Sequence, residues 1–342
     1  LFEQGDGVLR GIGLYQKWIL GGGSPTIRFE PHLMAEVNVT AVSAAYSHSL
    51  LLKTDGSLWS VGMDDDGRLG NGEGNVGRSN PVRVVEANVT RVSAGEKHSL
   101  FVKTDGSLWG FGDNSYGQLG DGTTSDRGSP VEIIEANVSF CASGAYHSLV
   151  VKIDGSLWAM GRNDEGQLGD GTLNQRKSPV LILDANVSQV SAGKDFSLIL
   201  KTDGSVWAMG SNEGGRLGYG GLVDTHLAEP VLIMSSGAVS IEAGVYHSLI
   251  LHSDGSLWTF GSGGNGRLGD GHGWGRNVPL KVVDSGVVSI SGGNNHSLFV
   301  KSDGSLWGMG NNNKGQLGSP HFTNYNYPIL IIDSGASQVS CG

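Results

Sequence analysis

The sequence predicts an all-β fold: a seven-bladed β-propeller of four-stranded antiparallel blades, with the ring closed by pairing of the N- and C-terminal strands. Three observations carry this expectation. Asp-Gly-Ser-Leu/Val-Trp recurs at 55–59, 105–109, 154–158, 203–207, 254–258 and 303–307, with its tryptophans 50, 49, 49, 51 and 49 residues apart. Each copy is followed by Gly-x-Leu-Gly, so that Leu69, Leu119, Leu168, Leu217, Leu268 and Leu317 share one position. Each unit also reads as four short β segments. A period this long across 342 residues is the mark of a repeat architecture.

The unit at 88–134 shows why. Residues 88–93 alternate and are rich in β-formers. After a turn at 95–97, residues 98–103 alternate again, with His98, Leu100 and Val102 on one face. Asp105-Gly106 reads as a two-residue type I′ hairpin, which requires positive φ at both positions. Residues 107–111 form a third strand and 112–122 a glycine-punctuated loop. A fourth strand begins at Pro130, where a missing N–H does least harm. No window has a period of 3.6, so almost no helix is expected.

The first 35 residues fit the same register at a lag of 49, with Arg10 at the tryptophan position and Trp18 in place of a loop glycine. Residues 336–342 read as an isolated first strand. The expectation is therefore one domain over 1–342: a split blade from 1–35 plus 336–342, and six full repeats between.

Glycine is abundant, 57 residues, and falls at fixed places, which indicates turns rather than disorder. The net charge of −10 argues against nucleic acid and anionic membrane as partners, since both require a basic footprint. No apolar run reaches membrane-spanning length. Cys141 and Cys341 lie about four repeats apart, too far round a ring for a disulfide.

The units resemble the regulator of chromosome condensation repeat family, in its bacterial style. The resemblance rests on Gly-x-x-His-Ser-Leu (95–100), the Asp-Gly-x-Leu/Val-Trp hairpin, Gly-x-Leu-Gly-Asp-Gly (117–122) and Asp-Arg-x-Ser-Pro (126–130), and it spans nearly the whole chain. It implies a seven-bladed propeller. Kelch propellers have a similar period, but their glycine doublet after the second strand is missing. The family's members include an exchange factor for a Ras-like nuclear GTPase, a plant ultraviolet photoreceptor, secreted bacterial β-lactamase inhibitors and bacterial surface proteins. The exchange factor works through a hairpin wedge, for which the even unit lengths here leave no room. The photoreceptor clusters tryptophans at a dimer face. Six of the eight tryptophans here hold one strand position each, which favours packing between blades.

Most conspicuous residues read as scaffold. His48, His98, His147, His247 and His296 share one position, with Phe196 replacing the histidine in one unit, the fourth of the six. The histidines are spread over the other blades and fit packing slots hydrogen-bonded to backbone better than a metal site. Arg28, Arg78, Arg127, Arg176 and Arg276 stand three residues before a proline. They read either as loop ties to Asp121, Asp170 and Asp270, or as a cationic ring facing a partner. Asp64-Asp65-Asp66 lacks the alternation of a calcium loop. The Asn-x-Ser/Thr sequons at Asn38, Asn88, Asn137, Asn186 and Asn295 follow the repeat and read as incidental. No nucleophile has a base beside it, and no cofactor is implied.

The expected function is a non-catalytic protein-binding platform, secreted or at the cell surface. Alternatives are a guanine-nucleotide exchange regulator of a small GTPase and a secreted enzyme inhibitor. The partner is another protein or a glycan. Specificity is expected in the irregular loops 21–30, 71–80, 219–229, 270–278 and 319–327. The contact residues expected there and in the arginine series are Trp274, His272, His321, Phe322, Tyr325, Tyr327, Arg78, Arg127, Arg176 and Arg276. Oligomeric state is open.

Overall fold

In the computed structural model, which describes residues 1–4, 8–14, 27–74, 76–221 and 223–342, the regular structure is strand apart from two single-turn 3-10 segments. Six blades are each made by one unbroken stretch of chain: I (39–85), II (89–134), III (138–183), IV (187–234), V (238–283) and VI (287–332). Among the described residues no helix is long and apolar enough to cross a membrane.

The expectation of seven blades is corrected to six blades of the repeat type. The remaining four-stranded sheet takes its strands from both ends of the chain, in the order Ala336–Val339, Phe2–Gln4, Val8–Leu14, Ile27–Val37. Its seam has only three paired positions and an irregularity, and Arg10 stands where each blade has tryptophan. It closes the ring between blades I and VI without repeating their pattern. The terminal strands do pair as expected, and the Ser340 N–H donates to the Leu1 carbonyl at 2.8 Å.

Blade II shows the common plan. Its strands Val89–Ala94, His98–Lys103, Leu108–Gly112 and Arg127–Ile134 pair antiparallel in sequence order. The second strand is buried along five of its six positions, because neighbouring blades cover both faces of the sheet. That accounts for its apolar run. The hydrophobic core is therefore distributed between blades. Leu50, Leu52 and Leu58 of blade I meet Val89, Phe101 and Phe111 of blade II, with Trp109 against them.

Polar latches cross the same interfaces. His98 Nε2 lies 2.9 Å from Ser148 Oγ of the next blade, and that hydroxyl donates back to the Gln118 carbonyl at 2.7 Å. A hydroxyl has one proton, so the serine accepts from Nε2–H. The relay recurs at His48–Ser99–Arg68, His147–Ser197–Gln167 and His247–Ser297–Arg267. The expected histidine-to-backbone bond thus runs through a serine of the neighbouring blade. Burial pushes the pKa of His48 and His147 down to about 3 and that of His98 and His296 to about 4, so the rings are neutral. Nearer the axis, Ser43, Ser93, Ser191, Ser291 and Ser340 each accept a backbone N–H from the following blade at 2.9–3.0 Å, while Ala142 and Glu242 hold the two remaining places.

One local expectation needs correction. The Asp-Gly hairpin is not type I′. Gly56 N–H bonds the Lys53 carbonyl at 2.9 Å and Gly56 alone has positive φ, 75°, so Thr54-Asp55-Gly56 is a three-residue loop ending in a left-handed glycine. Asp55 Oδ1 holds it by accepting the Ser57 N–H and hydroxyl at 2.9 and 2.6 Å. The tryptophans, in turn, are only half-buried. Trp109 donates its indole N–H to Ser107 Oγ at 2.8 Å, and the Lys103 ammonium sits 3.9 Å above the ring. They pack between blades as expected, with a cation over the outer face.

The sequon asparagines Asn38, Asn88, Asn137 and Asn186 have φ between 64° and 69°, and Gly237, Gly286 and Gly335 hold the same turn in later units. The asparagine is there because it tolerates the left-handed turn before each inner strand. Both cysteines are buried and free.

Two outcomes follow from the latches. Ser148→Ala strands a buried imidazole N–H and a carbonyl and lowers stability by about 1–3 kcal/mol in urea unfolding. The histidine pKa values lie lower in the folded chain than in the unfolded chain, so the unfolded chain takes up more protons as pH falls. Stability is full above about pH 6.5 and declines towards pH 4, by about 1.4 kcal/mol per pH unit for each histidine. Urea titrations at pH 7, 6 and 5 measure this, and His98→Phe makes the slope shallower by one proton.

Candidate protein-contact face

Each blade presents two connections on one side of the ring: the short turn between its first two strands and the long loop between its last two. The opposite side carries the Thr/Ile/Ser-Asp-Gly hairpins and the left-handed turns, which hardly vary between blades. Chemical variety is confined to the long-loop face.

The long loops are rigid. In blade II the Asn114 side chain, fully buried, accepts the Leu119 N–H at 3.0 Å and donates to Asp121 Oδ1 at 3.0 Å. Asp121 also accepts from Thr123 and, at 2.8 Å, from Arg127 Nε. Burial alone would raise the pKa of Asp121, but the Thr123 and Arg127 hydrogen bonds outweigh it and leave the pKa lowered. Blade III repeats the set with Asn163, Asp170, Thr172 and Arg176, and Arg276 Nε meets Asp270 Oδ2 at 2.7 Å. Arg78 pairs with Glu73. The arginines are loop ties, and their charge is matched locally. The Arg28 side chain, Trp18, Leu20 and loop positions 21–26 lie outside what the structure describes, as do Asn75 and Leu222. Asp64 does the work of Asn114, accepting the Leu69 N–H at 3.0 Å, which explains one member of the aspartate triplet.

The aromatic candidates divide. Trp274 is 76% exposed, Tyr327 66% and Phe322 51%, and His272 and His321 are also exposed. Tyr325 is half-buried, with its hydroxyl 2.7 Å from Ser319 Oγ, and it replaces the arginine tie in blade VI. Blades V and VI bring Trp274 and Tyr327 to one seam. Gly271 N–H donates to the Asn326 carbonyl at 2.8 Å, and a Cβ on Gly271 would lie 2.2 Å from the Tyr327 hydroxyl. Only glycine lets that ring lie across the loop. His321 and Phe322 sit on the next loop, which reaches back through Asn324 Nδ2 to Asn265 Oδ1 at 3.0 Å.

Sequence reasoning missed the axial mouth. A cavity of about 380 Å³ opens there, lined by Tyr46, Glu96, Lys194, Tyr246 and Asn294 among others. Around it lie Tyr116 and Tyr146, with ring centroids 5.3 Å apart and the Arg162 guanidinium 5.7 and 6.0 Å from them. The available signal was the pair between glycine and histidine in Gly-x-x-His. It changes in every blade, from Glu96-Lys97 to Ala145-Tyr146 to Val245-Tyr246, while the frame stays fixed.

The RCC1-like domain model matches residues 137–342, and two models of the regulator of chromosome condensation (RCC1) repeat match 89–118 and both 55–102 and 105–151. The Prp20p structure from Saccharomyces cerevisiae superposes with a TM-score of 0.85 at 21% identity, over 100% of this chain and 91% of that one. Yeast RCC1 (Prp20) bound by Kap60 gives 0.83 at 21%, over 96% and 85%, and human WBSCR16 gives 0.83 at 23%, over 98% and 95%. At these identities the likeness establishes the fold. No curated protein matches the chain.

Because Trp274 is exposed and Arg127 is a tie, their substitutions separate. Trp274→Ala changes unfolding free energy by less than about 0.5 kcal/mol. Arg127→Ala deprives a largely buried carboxylate of its partner and costs about 1–2 kcal/mol. Paired urea curves measure both.

Proposed function

The chain belongs to the regulator of chromosome condensation (RCC1) repeat family, and on that premise we propose that it is a non-catalytic protein-binding platform working through its long-loop face. The observation that carries this reading is the seam of blades V and VI, where Trp274 and Tyr327 are 76% and 66% exposed on loops tied down by Arg276 to Asp270 and by Tyr325 to Ser319. Large aromatics fixed on a stiff frame bury much area on binding and lose little conformational freedom.

Among finer readings, a regulator of nucleotide exchange on a small GTPase stands ahead of a secreted or cell-surface module. Prp20p was described together with its binding to Gsp1p and histones, and yeast RCC1 in complex with Kap60. These are protein partners of those proteins, and they favour a protein over a glycan here. Nothing comparable supports the secreted reading.

Capture from a native extract tests the platform. A Trp274→Ala, Tyr327→Ala double variant is expected to retain less than about a tenth of the partner captured by the native chain. Undiminished capture means that the wrong face has been chosen. Nucleotide release from a panel of small GTPases tests the finer reading, and no acceleration of any member removes it.

A further inference from the structure

The x position of Gly-x-Leu-Gly holds glutamine in three units and arginine in three. The glutamines close their own loops: Gln118, Gln167 and Gln316 each accept the backbone N–H two residues earlier at 2.9–3.0 Å. The arginines are buried, Arg68 4% exposed, Arg216 1% and Arg267 5%. Arg68 pairs with Asp66, and Arg216 with Glu213 at 2.6 Å. Arg267 has no such partner, because Gly264 and Asn265 occupy the places where those units carry their acids. Its bonds are to the carbonyls of Gly264 and Asn294, at 2.8 and 3.2 Å, and among the described residues no carboxylate lies within ion-pair distance.

Further positive charge converges on the same point. The guanidinium carbons of Arg216 and Arg267 lie 5.4 and 5.5 Å from the Tyr246 ring, and the Lys194 ammonium lies 5.8 Å from it. Arg216 Nη1 is buried with no hydrogen-bond partner. Nearby Asp195 is taken by Arg162 at 3.1 Å. Burial, and then the Arg216 charge, press the Arg267 pKa down to about 10 although Tyr246 opposes them, which marks an uncompensated cation. Such a charge is costly without a counter-charge. The cluster borders the axial cavity through Lys194, Tyr246 and Asn294. On its outer side the turn holding Arg267 carries Trp274, since a Cβ on Gly263 would strike the Trp274 backbone.

We infer that Arg267, with Arg216 and Lys194 around Tyr246, receives a carboxylate side chain of an acidic segment on the protein partner that docks against Trp274. The inference rests on the platform reading and adds the partner's chemistry to it. An aromatic anchor beside a desolvated guanidinium gives both contact area and a charge requirement, so a neutral segment of the same shape is rejected.

The repeat itself supplies a fold-compatible control. Arg216→Gln with Arg267→Gln installs the residue that three other blades carry at this position. Fluorescein-labelled hexaglutamate is the probe, titrated by anisotropy, with hexaglutamine as the neutral peptide and inorganic phosphate as competitor. The native chain is expected to bind hexaglutamate and not hexaglutamine, more weakly as salt rises, and the double variant, still folded by circular dichroism and by a single cooperative melting transition, to bind at least about tenfold more weakly. Absence of hexaglutamate binding, or equal binding by the double variant, overturns the inference. Displacement by phosphate below the hexaglutamate concentration reassigns the site to phosphate and overturns it as well. The two readings fail separately: extract capture kept by the double glutamine variant but lost on Trp274→Ala sinks the carboxylate site and leaves the platform standing.

Discussion

The buried hydrogen bond from a histidine of one blade to a serine of the next governs the rest of the molecule. The serine hydroxyl accepts the imidazole N–H and donates to the carbonyl of Arg68, Gln118, Gln167 or Arg267. It therefore ties three elements together: a second strand, its neighbour's second strand and the base of a long loop. Hydrophobic contact between blades is strong but non-directional. The relay fixes the vertical position at which the sheets meet, because each of its groups would otherwise be buried without a partner.

A fixed scaffold makes a varied face possible. The long loops of five blades are held from within by an asparagine or aspartate anchor, and that of blade V, with Gly263 at the anchor position, by the Arg276–Asp270 tie, so side chains pointing outward do not support the fold. Trp274, Tyr327 and the residues between glycine and histidine at the axial mouth occupy such positions. They can differ from blade to blade at little cost to packing, which is how a repeat protein acquires an asymmetric surface. The same separation explains Arg267. It keeps the place of a structural residue but lacks the neighbouring acid that makes its counterparts structural.

Much of this was legible in the sequence because the repeat announces itself six times. Strand order, the closing pair of termini and the packing role of the tryptophans all follow from periodicity. The misreadings have local causes. Asp-Gly reads as a two-residue turn, yet Ser57 draws the Asp55 carboxylate inward and enlarges the loop by one residue. The terminal segment reads as one more blade because its register matches at a lag of 49, but a matching register does not restore the tryptophan that Arg10 replaces. The arginine before the proline reads either as a loop tie or as part of a cationic ring, and Arg127 folds back onto Asp121 across six residues, as the first of these expects. Tyr246 was hidden because it lies inside the most regular motif of the chain, where variation is easily overlooked.

The relay also has a direction. At the four interfaces that carry it, the histidine comes from the earlier blade and the serine from the later one, so these interfaces are head-to-tail, as in a cyclic oligomer whose subunits share a backbone. Contacts of this kind either close on themselves or run on without limit. Here closure depends on the pairing of Phe2 with Val339, Glu3 with Gln338 and Gln4 with Ala336, a seam of three positions with one irregularity. When that seam opens, one molecule exposes two edges that fit each other. On separate molecules those edges would meet end to end, so the sheet shared by the two ends of the chain is what keeps a self-complementary chain closed.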